Sequence, residues 1–79
     1  MLESRLKWQC RRGMRELDEL LLSYLTDQYP AAGDDDKRAF RALLELSDPA
    51  LIEYLLQRVK PASEPIAHVV DSILNRTSA

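Results

Sequence analysis

The chain contains one cysteine, one tryptophan, one phenylalanine, one histidine and only two glycines among its 79 residues. A lone thiol, Cys10, excludes an intramolecular disulfide and fits a reducing compartment. With His68 the sole histidine, no Cys/His cluster offers a structural metal site. Two glycines cannot build a glycine-rich phosphate loop. No apolar run exceeds three residues, as at Leu20-Leu21-Leu22, far short of the ~20 needed to span a membrane. Glu3, Arg5 and Lys7 break up any signal-peptide core near the start. The expectation is a cytoplasmic protein with no membrane insertion. A domain this small buries only roughly 60–65% of its unfolded surface, which leaves little room for a deep catalytic cavity.

Charge is present, but it is uneven. Residues 1–16 carry +3, residues 17–36 carry −6 without one basic side chain, and the remainder carries +1, giving −2. The acidic balance, with a pI near 5.3, argues against a general nucleic-acid binder. A polar protein partner met through a local basic patch fits better.

Punctuation and period predict five helices. The first runs from about Glu3 to Arg12, with Leu2, Leu6, Cys10 and Met14 as a thin apolar stripe and Gly13 as its C-cap. The second runs from about Arg15 to Tyr29 and buries Leu17, Leu20, Leu21, Tyr24 and Leu25, with Pro30 ending it. Asp34-Asp35-Asp36 opens the third by capping and dipole complementarity, and Phe40, Leu43 and Leu44 form its stripe, with Leu46 near its end. Ser47-Asp48-Pro49 starts the fourth, which buries Leu51, Ile52, Leu55, Leu56 and Val59. Ser63 caps the fifth, whose β-branched Ile66, Val69, Val70 and Ile73 recur with Leu74 at a helical rather than a strand period. The fold class is all-α: a compact five-helix antiparallel bundle, one domain over residues 1–79.

Catalytic readings fail for want of partners. His68 has Asp71 three residues on, but no nucleophile or metal joins them, and Ser23 completes a triad only on paper. Asp34–Asp36 lacks the alternating ligands of a calcium loop. Cys10 falls on the apolar stripe, which favours inert packing. No enzyme can be assembled from these residues.

Five of the eleven basic residues gather before residue 16, in and around Arg11-Arg12-Gly13-Met14-Arg15-Glu16-Leu17-Asp18. Trp8 lies about 160° from Leu6 around the first helix, off its apolar stripe. Arg11 and Arg12 follow it at i+3 and i+4, so they can flank the indole in cation–π contact, and Arg15 can join them. Against this interface stands a bundle that curls over Trp8 and buries it. The arginines have a similar alternative, a solvated face in which Arg12 pairs with Glu16. Composition and spacing leave both pairs of readings open.

The block Arg12-Gly13-Met14-Arg15-Glu16-Leu17-Asp18 resembles the Arg-Gly-x-x-Glu signature of the succinate dehydrogenase assembly factors, the small flavinylation factors. The likeness extends through Trp8, the leucine-rich second helix ending near Tyr29, Phe40 with Leu43-Leu44, Asp48 and Leu51. One departure is Tyr54-Leu55-Leu56-Gln57, where the family has tryptophan, leucine and soon a glycine. No mitochondrial leader is visible, so the likeness is to bacterial-type members. The resemblance implies a helical bundle that acts as a chaperone rather than an enzyme. It implies a client, the flavoprotein subunit of succinate dehydrogenase and in some cases fumarate reductase. FAD would belong to that client and attach to a histidine of it, so this chain would hold no stable cofactor; separately, the chain is expected to be a monomer. The client-facing residues it implies are Trp8, Arg11, Arg12, Gly13, Arg15, Glu16 and Asp18. The competing expectation is an antitoxin-like or regulatory adaptor that binds some other protein.

Overall fold

Burial of leucine at helical spacing decides the architecture. The computed structural model of the chain describes residues 2–78, with side chains from residue 4 to residue 75. Five helices follow one another: α1 (Leu2–Gln9), α2 (Arg15–Asp27), α3 (Asp34–Leu44), α4 (Asp48–Leu51, continued as a π-helical turn over Ile52–Leu56) and α5 (Glu64–Ser78). A short 3-10 turn, Tyr29–Ala31, leads from α2 towards α3. There is no strand among the described residues, so the all-α expectation holds. Leu2 of the predicted stripe lies outside the residues with described side chains.

Helix α5 packs against α2 and α3, and α1 lies across α2 and α3. The core they enclose is wholly apolar: Leu6 and Cys10, Leu17 and Leu21, Phe40 and Leu43, Leu51, and Val69 with Ile73 are almost completely buried. No buried polar or charged residue occurs among the described ones. Phe40 sits at the centre, its ring 4.6 Å from that of Tyr24 and 5.6 Å from that of Tyr29. The radius of gyration is 11.3 Å, against about 11.6 Å for a compact chain of this length. Among the described residues, no helix is long and apolar enough to cross a membrane.

Several boundaries differ from those predicted. α1 ends at Gln9, not Arg12. The Arg11 N–H bonds back to the Trp8 carbonyl at 3.1 Å, tightening the last turn, and the Arg12 N–H is taken by Asp18 instead of the helix. α2 ends at Asp27, and Pro30 lies inside the 3-10 turn, where its missing N–H is no loss. Leu46 lies beyond the end of α3, half-buried in the loop to α4. The capping devices are also plainer than the sequence suggested. Gly33 and Ser47 occupy the N-cap positions of α3 and α4 without side-chain hydrogen bonds. Asp34–Asp36 therefore serve the helix dipole from the first turn rather than as a cap.

Helix four departs most. Its second half widens to i→i−5 bonding, with the Gln57 N–H on the Ile52 carbonyl at 2.9 Å. Arg58 then adopts a left-handed conformation, φ 59°, and the Val59 N–H returns to the Glu53 carbonyl at 2.8 Å. This broadened left-handed stop turns Val59 outwards, so it is exposed rather than buried as the helical period predicted.

Candidate functional site

The junction between α1 and α2 is built around an inward arginine. The Arg12 side chain is 17% exposed, and its guanidinium spans the end of α3 and the start of α4. Nη2 donates to the Leu44 carbonyl, and Nη1 donates to the Leu46 carbonyl at 3.4 Å and to Asp48 Oδ1 at 3.5 Å. The Leu44 carbonyl is the last of α3, where the helix leaves acceptors unpaired and its dipole favours a cation, and that of Leu46 lies just beyond it. Arg12 Nε is buried without an acceptor, so the fork geometry is set by the two terminal nitrogens.

Asp18 completes the frame from the other side. Its Oδ1 accepts the Arg12 backbone N–H at 2.7 Å, while its own N–H donates to the Met14 carbonyl at 2.9 Å. One carboxylate on the first turns of α2 thus closes the loop that precedes it. Gly13, between these anchors, has φ 83°, a conformation L side chains rarely adopt. It lies within the loop and is not the C-cap of α1, since that helix has already ended at Gln9. A Cβ built on it would meet nothing within 4 Å, so backbone conformation alone demands glycine there.

With Arg12 and Asp18 committed inside the chain, their neighbours face solvent. Trp8 is 78% exposed, which removes the core reading of the indole. Arg11, Gly13, Arg15 and Glu16 are exposed as well. Arg15 Nε lies 3.4 Å from Glu19 Oε1, an i,i+4 pair between side chains that are 92% and 71% exposed. Such a pair is readily exchanged for another partner. Glu16 and Glu19, with Leu20 and Ser23, line a shallow depression of about 300 Å3 on the outer face of α2.

Three expected contacts are absent among the described residues. Arg12 pairs with Asp48, not with Glu16, because the guanidinium turns under the loop towards α3 and α4. No cation stacks on Trp8 among the described residues, where the ring–cation contact is Lys37 over Tyr29 at 5.4 Å. His68 also finds a different neighbour from Asp71: its Nε2 is 3.7 Å from Asp36 Oδ1 on α3. Asp48 had read as helix punctuation. That it and the Leu44 and Leu46 carbonyls receive Arg12 depends on contacts more than thirty residues apart in sequence.

Cys10, beside this junction, is fully buried, and burial pushes its thiol pKa up to about 11, with Arg12 opposing and Asp18 reinforcing the rise. It is a packing group, as its place on the stripe predicted. Among the described residues no group of three His, Cys, Asp or Glu is arranged to hold a metal ion.

The chain is similar to known proteins along most of its length. Residues 4–77 match the family model described as flavinator of succinate dehydrogenase. It is 39% identical over 74 residues to the FAD assembly factor SdhE of Photorhabdus laumondii, covering 94% of this chain and 84% of that protein. The FAD assembly factor SdhE of a Serratia species is 40% identical over 72 residues, covering 91% and 82%. That of Pectobacterium atrosepticum is 38% identical over 74 residues, covering 94% and 84%.

Proposed function

The chain belongs to the flavinator of succinate dehydrogenase family, and from that membership we propose that it assists covalent attachment of FAD to the flavoprotein subunit of succinate dehydrogenase. It acts as a non-catalytic chaperone in the cytoplasm, as a monomer, and holds no cofactor of its own. Fumarate reductase flavoproteins are a second class of client. The observation that carries this reading is the division of the Arg-Gly-x-x-Glu block into an internal frame and an outward set. Arg12 and Asp18 fix the loop, while Trp8, Arg11, Gly13, Arg15 and Glu16 are left facing solvent.

That outward set has the chemistry of a binding surface. Tryptophan and arginine are the residue types enriched at interface hot spots. Glu16 offers an acceptor beside two exposed arginines, and Gly13 presents bare backbone to an approaching chain. A chaperone of this kind raises the rate by binding one client conformation more tightly than the others. Arg12 and Asp18 contribute to the surface by holding it in place, Arg11, Arg15, Glu16 and Trp8 by touching the client.

The test is co-expression of the flavoprotein with and without this chain, followed by denaturation and in-gel flavin fluorescence. The reading expects covalent flavin to rise with the chain present. Equal covalent flavin in both cases would refute it, and capture of an unrelated protein alone would favour the adaptor reading.

A further inference from the structure

At the far end of helix four from Asp48, a cleft of about 330 Å3 lies between the π-helical turn and α5. Its rim carries Tyr54, Arg58, Lys60, Asp71 and Asn75, and its floor is formed by buried Pro61, Ala67 and Val70. Among the described residues, the side chains of Tyr54, Arg58, Lys60 and Asn75 take part in no hydrogen bond or ion pair. Asp71 lines the same cleft, yet it too pairs with neither cation. Four unmatched donors therefore converge on one concavity with a net charge of +1 from its ionic side chains.

Backbone strain adds a second observation. Arg58 holds φ 59°, which is costly for an L residue with a long side chain. Glycine or asparagine would end the helix more cheaply at that position. Strain kept in a sparsely populated region commonly marks a functional position. Here it sets a guanidinium on the rim of the cleft.

We propose that this cleft is a second docking site, which receives a carboxylate side chain from an acidic segment of a partner protein. The guanidinium of Arg58 takes the carboxylate in its planar fork, and Lys60 adds a point charge beside it. Tyr54 and Asn75 supply neutral donors, and the apolar floor accommodates the methylene stem of the incoming side chain. A free small anion is a poorer occupant. Arg58, Lys60 and Asn75 are exposed, so a small ion would stay largely hydrated, whereas a chain segment spreads its contacts along the rim. The site is independent of the Arg-Gly-x-x-Glu surface and does not require that surface to bind a flavoprotein.

A fluorescein-labelled hexaglutamate peptide is titrated into the intact chain, with hexaglutamine, inorganic phosphate and acetate as separate arms. Anisotropy reports affinity, and amide chemical shifts report position. The expected result is saturable, salt-sensitive hexaglutamate binding with shifts centred on Tyr54, Arg58, Lys60 and Asn75. Affinity should fall about tenfold in Arg58→Gly and in Lys60→Gln, and rise about threefold in Asp71→Asn. Arg58→Gly relieves the left-handed strain, so its lost binding cannot be ascribed to unfolding. Shifts centred on Arg11 and Arg15 would overturn the proposal, as would Asp71→Asn binding no tighter than the parent chain. Phosphate or acetate saturating the cleft as tightly as the peptide would also overturn it, by making it a small-anion site.

Discussion

Arg12 shows how a single side chain can tie one motif into the fold while its neighbours stay exposed. Its guanidinium replaces missing partners at the end of α3 and meets Asp48, while its own N–H is taken by Asp18. Arg12→Ala should lose about 2 kcal/mol of stability, since hydrogen bonds to charged groups contribute about 1.5–3 kcal/mol. Exposed Arg11→Ala should change it by less than about 0.5 kcal/mol. Urea unfolding of the two variants checks the contrast, and equal losses would contradict the assignment. Cys10 yields a pH-dependent outcome. Its thiol goes from the ordinary 9.0 to about 11 on burial, so the folded state holds that proton more tightly than the unfolded chain. The associated stability is complete below pH 9 and is lost as pH rises towards about 11. Tyr24, raised by burial and then by Asp36 and Tyr29, falls away in the alkaline range too. The Cys10 share is therefore read by comparing urea midpoints at pH 8 and pH 10.5 with those of Cys10→Ala, which should slope less.

At the scale of elements, two left-handed residues end or join helices, one suited to the conformation and one not. Gly13 at φ 83° has open space around its missing side chain, so Gly13→Ala carries a backbone cost alone, about 1–2 kcal/mol. Insertion of D-alanine by chemical synthesis should restore stability, because its mirror-image preference matches that φ. Arg58→Gly should act oppositely and stabilise the chain by about 1 kcal/mol, measured as a higher thermal midpoint. The legibility of these elements varied with how local their causes are. Leu17, Leu21, Leu43 and Val69 follow a 3.6-residue period, and their burial was readable from spacing alone. The early end of α1 was not readable, because it depends on an aspartate six residues beyond the arginine whose N–H it captures. Val59 misled for a related reason: the period assumed α-helical bonding, and the π turn shifted the register.

At the scale of the molecule, an apolar core centred on Phe40 fixes five short helices, and their packing turns one face of the α1–α2 junction inwards and the other outwards. The sequence marked the block as unusual and placed Trp8 off the apolar stripe. It could not sort the block's arginines, since that sorting is done by α3 and α4, which reach Arg12 only in the folded chain. The resulting division is the central claim: Arg12 and Asp18 frame the loop, and we propose that the exposed Trp8 and Glu16 grip the client. The most direct measurement takes Glu16→Ala and Trp8→Ala, both at exposed positions, and records thermal stability beside covalent flavin on the co-expressed flavoprotein. Unchanged stability with flavin incorporation reduced about tenfold or more is the predicted result. Full flavin incorporation by both stable variants would contradict it.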